Sequence, residues 1–229
     1  MAFYACVFLW VLAAYSLVWC LILKTATDLN LKRNLKRAAY HEIGHACTIW
    51  SFSDMVDIAS VSIADNGGGL VKWNHSPSSS TDHLWCRLTI AMAGIVAEQM
   101  FMGSVVVAGA SSDFQTALEC SSELLNQQST SPPWKVGEPT FLIPLDNRFE
   151  AVPPLQIRLI QLAAETARNI IRAYSFHIER FYQLLMKKRL LIMSDLFDLL
   201  GGRDSALRFK GLVSTFMVSK RVLDEGHHD

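Results

Sequence analysis

The chain has 229 residues, of which 51% are hydrophobic, and its 21 basic side chains are balanced by 21 acidic ones. A formal net charge of zero gives no electrostatic basis for binding nucleic acid, which needs a basic surface. The five cysteines show no CxxC spacing and no disulfide framework, which suits a reducing compartment.

The N-terminal segment is long and apolar enough to cross a membrane. The 21 residues from Phe3 to Leu23 carry no charge, and about 20 helical residues cross a hydrocarbon core of about 30 Å. A cleaved signal peptide would begin with basic residues and have a shorter apolar run. We therefore predict a single transmembrane helix over residues 1–24, although a buried helix of a soluble fold is the alternative. The basic residues that follow place the rest of the chain on the cytoplasmic side: Lys24, Lys32, Arg33, Lys36 and Arg37.

Residues 31 to 50 are predicted to form a helix that carries a metal-binding motif. The stretch has no proline, and its apolar residues recur at helical spacing. His41 and His45 are four residues apart in the pentapeptide HEIGH, so both imidazoles can reach one zinc ion from one helix face. Glu42 is placed to act as the general base of a hydrolytic reaction. The alternative is a surface helix with two solvated histidines, which would have no use for Glu42.

Gly44 lies in the middle of this predicted helix. A glycine there costs about 1 kcal/mol relative to alanine. Its presence predicts that another backbone or a substrate packs closely against the helix at this position.

A catalytic zinc site needs a third protein ligand. The metzincin pattern is excluded, because Thr48 and Ser51 stand where it requires glycine and histidine. Cys47 points away from the histidines, since it lies only two residues after His45. Acidic residues remain, and the most suggestive is Asp113 in the segment GASSDFQTA. An ordinary role is also open to Asp113, because acidic residues in a first helical turn offset the helix dipole.

Residues 56 to 73 are predicted to form a small hairpin or sheet. Residues 56–63 alternate apolar and polar side chains, residues 65–69 have turn composition, and extended character resumes at residue 70. The edge of such a sheet could bind an extended peptide substrate by strand addition. The alternative is a sheet that only covers the helices.

Residues 82–102 are predicted to form a buried core helix, because Arg87 and Glu98 interrupt an otherwise apolar stretch. Glu98 has three possible roles. It could orient a ligand histidine, pair with Arg87 or lie at the surface.

The C-terminal half is predicted to be helical after an irregular loop. A helix over residues 111–128 would carry Asp113, and residues 129–154 hold six prolines, which indicates a loop. A long amphipathic helix follows from Pro153 and Pro154 to about Lys188. Ser194 is predicted to cap a last helix that ends at Leu200.

Three segments occur in a characteristic order: YHEIGHA at residues 40–46, AGIVAEQ at 93–99 and GASSDFQ at 109–115. Together they resemble the protease domain of the FtsH-type membrane-anchored zinc metalloproteases. That family has a His-Glu-x-Gly-His helix, a glycine-rich helix ending near Ala-Glu-Glu, and a Gly-Ala-x-x-Asp segment whose aspartate is the third zinc ligand. The resemblance covers residues 33–200 and differs from the family at Ala93, Val96 and Gln99, none of which is a ligand position. It implies that His41, His45 and Asp113 bind Zn²⁺ and that Glu42 is the base.

The pattern and the resemblance together predict a mainly α fold. A single N-terminal transmembrane helix would precede a helical FtsH-like peptidase domain over residues 25–203, with a small β-hairpin or sheet, and a tail over residues 204–229. The implied function is a zinc metalloendopeptidase that cleaves unfolded or membrane-associated proteins. The alternative is a catalytically silent relative that acts as a membrane scaffold or regulatory binding protein.

The resemblance also implies partners. FtsH-type proteins carry an ATPase module, whereas these 229 residues contain no GxxxxGK[ST] phosphate loop. We therefore expect any ATP-driven handling of substrates to come from a separate ATPase partner. FtsH-type proteases form hexameric rings, which makes a homo-oligomer possible here.

Overall fold

The computed structural model describes residues 2–75, 80–106, 109–127, 139–145 and 147–202. Within these ranges the chain is mainly helical with one small sheet, as the sequence predicts. The helices are α1 (Ala2–Ser51), α2 (Thr81–Met102), α3 (Ser111–Asn126), α4 (Pro154–Ala173), α5 (Ser175–Lys188) and α6 (Met193–Leu200). The strands are β1 (Val56–Ile63), β2 (Gly69–His75) and β3 (Leu190–Ile192).

The first helix is one continuous element, where the sequence predicted a membrane segment and a separate metal-binding helix. Neither proline nor glycine occurs before Gly44, so nothing interrupts its backbone hydrogen bonds. Residues 18–34, which we term the N-terminal arm, are exposed, and burial begins at Leu35. The large apolar side chains exposed on or just before this arm are Tyr15, Val18, Trp19, Leu21, Ile22, Leu23, Leu29 and Leu31.

Helix α2 is the central helix of the folded body. Among the described residues it is the one helix that is long and apolar enough to cross a membrane. However, 78% of that apolar stretch is buried by the rest of the protein. The predicted role of α2 as a core helix is therefore confirmed, while the transmembrane helix over residues 1–24 stays a prediction.

The two central helices, α1 and α2, approach each other closely at Gly44. A Cβ atom added to Gly44 would overlap the carbonyl oxygen of Ala93 and lie 2.7 Å from the Cβ of Ala97. The backbone that the sequence predicted next to Gly44 is therefore that of α2. This contact sets the spacing between the helix with the HEIGH motif and the helix behind it.

The sheet covers one side of this helix pair. Its strands are antiparallel in the order β2-β1-β3, so that Val61 of β1 is opposite Val71 on one side and Leu191 on the other. The predicted hairpin is thus present, with a left-handed Gly67 (φ 87°) in its turn. Strand β3 was not predicted, because three residues are too short to show an alternating pattern.

Two predictions about the C-terminal half are wrong. The long helix from residue 154 to 188 is divided into α4 and α5 at Tyr174, whose backbone leaves the helical conformation (φ −90°, ψ 4°). The apolar stripe continues through both helices, which hides the break from sequence periodicity. Ser194 does not cap α6, because β3 leads directly into the helix and Asp195 accepts the hydrogen bond from the Ile192 amide at 3.1 Å. The tail over residues 204–229 and part of the predicted loop, residues 128–138, lie outside the described residues.

The contact at Gly44 leads to a stability prediction. We expect Gly44→Ala to lower the free energy of unfolding by about 2 kcal/mol, because the added methyl group overpacks the α1–α2 contact. In an open helix the same change would raise stability by about 1 kcal/mol. Urea unfolding of the detergent-solubilised chain measures the difference.

Gly109→Ala is the matched control, because the one described atom that its added Cβ would meet is Val106 O, at 3.5 Å. We expect this control to change stability by less than about 0.5 kcal/mol. A Gly44→Ala protein at least as stable as wild type would contradict the close approach of the helices.

Candidate metal centre

Three predicted ligand side chains meet at one point between α1 and α3. The Nε2 atoms of His41 and His45 are 3.0 Å apart, and Asp113 Oδ2 lies 2.9 Å from the first and 3.4 Å from the second. Ligand atoms of a tetrahedral zinc ion, with bonds of about 2.0–2.1 Å, are about 3.3 Å apart. The three donors therefore fit a zinc ion. Among the described residues this is the one group of three such side chains close enough to hold a metal ion.

Asp113 reaches the histidines from the first turn of α3. Its side chain is 19% exposed and contacts both imidazoles. The N-cap of α3, Ala110, supplies no side-chain hydrogen bond, and Asp113 points towards α1. An acidic residue that only offset the helix dipole would have no reason to lie between two histidines.

The second ring nitrogen of each histidine also has a partner. His41 Nδ1 lies 2.8 Å from Glu98 Oε1, and His45 Nδ1 lies 2.8 Å from the carbonyl oxygen of Ile90. Both acceptors are on α2, and both fix the tautomer that carries the proton on Nδ1. In the neutral imidazoles, the Nε2 lone pairs are then directed to the point where Asp113 also arrives.

Glu98 is itself held by several donors. Arg37 Nη1 donates to Glu98 Oε2 at 2.7 Å, and the Val106 amide donates to the same oxygen at 3.2 Å. Burial raises the pKa of Glu98, but the hydrogen bonds with His41 and Arg37 outweigh it and lower the pKa below its ordinary value. Of the three roles predicted for Glu98, the structure shows the contact with the histidine. The suggested pairing with Arg87 is wrong, because Arg37 occupies that position.

Sequence reasoning missed Arg37, which we interpreted only as part of the basic segment after the membrane helix. The signal was present in its spacing. Arg37 lies four residues before His41 and eight before His45, so all three residues share one face of α1.

The carboxylates on either side of His41 favour a positive charge between them. Burial lowers the pKa of His41, but its hydrogen bonds to Asp113 and Glu98 outweigh burial and raise the pKa to about 10. Burial likewise raises the pKa of Asp113, but the charge on His45 and the hydrogen bond from His41 hold that pKa well below its usual range. A proton on His41 or a metal ion can supply the positive charge.

Glu42 lies beside this point and is only 6% exposed. Burial raises the pKa of its carboxyl, while the two nearby histidines oppose that rise. The side chain packs against β2, where a Cβ added to Gly69 would lie 2.7 Å from Glu42 Cδ. Sequence reasoning assigned Gly69 to a turn, whereas its lack of a side chain makes room for the predicted base.

Gly94 makes room for the imidazoles in the same way. A Cβ atom at this position would lie 2.6 Å from Nε2 of both His41 and His45. Only glycine therefore lets α2 pass behind the histidines without displacing them. The sequence showed this glycine, in a segment that is glycine-rich in the FtsH-type family, but gave no reason for it.

The centre opens into a cleft of about 690 Å³. The predicted ligands and Glu42 lie in this cleft, and residues 66–71 of the β1–β2 hairpin line it together with residues of α2 and α3. A cleft of this size is typical of a ligand or substrate site.

Comparison with known proteins agrees with this geometry. The sequence profile of Peptidase family M41 matches residues 29–133, which include all four predicted site residues. The chain contains an FtsH-type protease domain. The match covers α1 from residue 29 onwards, the β1–β2 hairpin, α2 and α3.

Relatives of the FtsH-type domain occur in mitochondria and bacteria. The mitochondrial inner membrane m-AAA protease component AFG3L1 of Mus musculus is 28% identical over 183 residues, which cover 73% of this chain and 23% of that protein. The ATP-dependent zinc metalloprotease FtsH of Corynebacterium glutamicum is 26% identical over 189 residues, or 72% of this chain and 22% of that protein. FtsH of Opitutus terrae is 34% identical over 100 residues, or 41% of this chain and 16% of that protein. The chain thus spans about a quarter or less of the length of these curated relatives.

The position of Gly94 leads to a prediction about metal binding. We expect Gly94→Ala to weaken zinc binding at least about tenfold, because the added methyl group displaces both imidazoles from the ligand position. Competition with a zinc chelator, monitored by a metal-sensitive dye, measures the affinity. Gly109→Ala, in the same cleft but without a close contact, should bind zinc like wild type. If the Gly94→Ala protein bound zinc as tightly as wild type, the metal ion could not lie between His41, His45 and Asp113.

Proposed function

We propose that this chain is a membrane-anchored zinc metalloendopeptidase that cleaves unfolded or membrane-associated proteins. The observation that carries the proposal is the meeting of His41, His45 and Asp113 beside the buried carboxylate of Glu42. The FtsH-type domain supports it, because its relatives are named as proteases and zinc metalloproteases.

Zinc, when bound by these three residues, would lower the pKa of a water in its open position to about 7 and polarise the scissile carbonyl. Glu42 accepts the proton of the attacking water and passes it to the departing amine. A general acid–base of this kind contributes about a hundred- to ten-thousandfold to the rate. The raised pKa of Glu42 suits this role, because the carboxyl must hold the proton between the two steps.

The rest of the centre keeps the ligands in place. Glu98 and the Ile90 carbonyl orient the two imidazoles, and Arg37 holds Glu98. The burial of Glu42 and Glu98 keeps bulk water from competing for their hydrogen bonds.

The proposed substrate is an extended peptide segment. Strand β2 is an edge of the sheet and lines the cleft through Gly69, Leu70 and Val71. A peptide added beside β2 would place its backbone next to Glu42 without requiring a particular sequence. The position of β2 along the cleft favours strand addition over the alternative, in which the sheet only covers the helices.

The proposed anchor is residues 1–24, followed by a peptidase domain over residues 25–203. The apolar exposed surface of α1 supports this, since a cluster of exposed apolar side chains requires a neighbour other than water. The basic residues after the anchor support a catalytic domain on the cytoplasmic side. We propose no nucleic acid partner. A homo-oligomer or a separate ATPase partner is proposed from the resemblance, in line with the names of the ATP-dependent relatives.

The proposed role of Glu42 is tested by Glu42→Gln. We expect this variant to bind zinc like wild type but to cleave casein at least about a hundredfold more slowly, because the amide cannot accept the proton of the attacking water. Cleavage is followed by release of labelled peptide, with and without a zinc chelator. Glu123→Gln, an exposed acid on α3, is the control and should keep full activity.

Two outcomes would contradict the proposal. Full activity in the Glu42→Gln protein would exclude Glu42 as the base. A wild-type protein that binds zinc but cleaves no substrate would instead favour the alternative, a silent scaffold or regulatory binding protein.

A further inference from the structure

Arg87 lies in the cleft at a distance from the metal centre. It is on α2, seven residues before Gly94, and therefore on the same helix face two turns away. At 1.5 Å per residue, the Arg87 backbone therefore lies about 10 Å along the axis of α2 from Gly94, the residue that packs against the two histidines. The side chain is half-buried and lines the cleft.

Helix α3 forms the other side of this part of the cleft. Asp113 and Thr116 line the cleft, and Cys120 lies one turn further along the same face. Burial raises the pKa of the Cys120 thiol, and the positive charge of Arg87 opposes that rise. The guanidinium therefore lies near α3, at the end of the cleft away from Asp113.

The Arg87 guanidinium has neither a hydrogen bond nor an ion pair to any part of the chain that the structure describes. Arg37, by contrast, donates hydrogen bonds to Glu98 and to the carbonyl oxygen of Ser104. The acids on α3 are engaged or exposed, and Glu123 is among the exposed ones. Asp113 contacts the histidines, and Glu119 accepts a hydrogen bond from Gln115 at 2.8 Å.

The half-buried guanidinium has lost part of its hydration without gaining a partner among the described residues. A carboxylate is its best match, because both groups are planar and can form two parallel hydrogen bonds. The cleft in which Arg87 lies is the one that leads to the proposed zinc and Glu42. The group that completes the pair is therefore expected to arrive with the substrate.

We propose that Arg87 binds a carboxylate of the substrate peptide, which makes it a specificity-determining residue of the cleft. An extended chain advances about 3.3 Å per residue, so 10 Å corresponds to about three residues from the scissile bond. The carboxylate belongs to a glutamate or aspartate side chain at that position or to the C-terminus of the peptide. This inference rests on the proposed function, since it assigns a substrate preference to the same cleft.

The first test compares matched peptides. Each peptide has one cleavable bond, an amidated C-terminus and either Glu or Gln at one position, two to four residues from that bond on either side. We expect wild type to prefer the Glu peptide about tenfold in kcat/KM at one of these positions. Arg87→Gln should remove the preference, and Arg87→Glu should prefer Lys at the same position. Lys187→Gln, an exposed change on α5, should leave the preference unchanged.

A second measurement separates this inference from catalysis. Fluorescence anisotropy gives the Kd of the same labelled peptides for the zinc-loaded Glu42→Gln protein, with and without Arg87→Gln. The Glu peptide should bind about tenfold tighter only when Arg87 is present. The difference should shrink at high salt, because counterions screen a partly exposed ion pair. Arg87→Lys, which keeps the charge, should retain part of the preference if Arg87→Gln fails to fold.

The outcomes of these experiments distinguish the role of Arg87 from the proposed peptidase function. Equal kcat/KM and Kd for all amidated Glu and Gln peptides, together with equal values for matched peptides that end in a free or an amidated carboxyl group two to four residues after the cleavable bond, would overturn the role of Arg87. So would a preference that persists in Arg87→Gln. A preference seen only between the free and the amidated termini would assign the site to a terminal carboxylate. If wild type cleaves no peptide, the proposed function fails, while the anisotropy experiment still decides whether Arg87 binds the carboxylate.

Discussion

The close approach of α1 and α2 is the constraint on which the centre depends. Gly44 brings the backbone of α2 against α1, and Gly94, on α2, leaves space for the imidazoles. At this spacing, Glu98 and the Ile90 carbonyl reach the Nδ1 atoms of His41 and His45. A larger residue at either glycine would separate the helices or displace the histidines, and the hydrogen bonds behind the rings would be lost.

A line of alternating charges runs through the centre from Arg37 to Glu98, His41 and Asp113. Each buried charge in this line faces an opposite one, which offsets the cost of removing it from water. The line also explains why Asp113 can come from a different part of the sequence. The positive charge on the His41 side, whether a proton or a metal ion, attracts the carboxylate that α3 presents in its first turn.

Sequence reasoning found the helix with HEIGH, the hairpin, the core helix and the three side chains that meet, because each has a local pattern or a recognisable motif. The spacing of Arg37 showed the helix face that it shares with the histidines, but it could not show that its partner is Glu98, which is 61 positions away along the chain. Gly69 and Gly94 were visible as glycines, but their purpose depends on which side chains fold against them. The break at Tyr174 and strand β3 were missed because the apolar pattern continues through the first and is too short in the second.

The central claim is that one divalent cation is held jointly by α1 and α3. The most direct test is zinc per chain, measured by elemental analysis of purified wild type and Asp113→Asn after dialysis against a weak chelator. The account predicts one zinc per wild-type chain and a clear loss in the variant, because the amide that replaces the carboxylate is a neutral and weaker ligand. A wild-type protein without zinc, or an Asp113→Asn protein that retains it fully, would contradict the account.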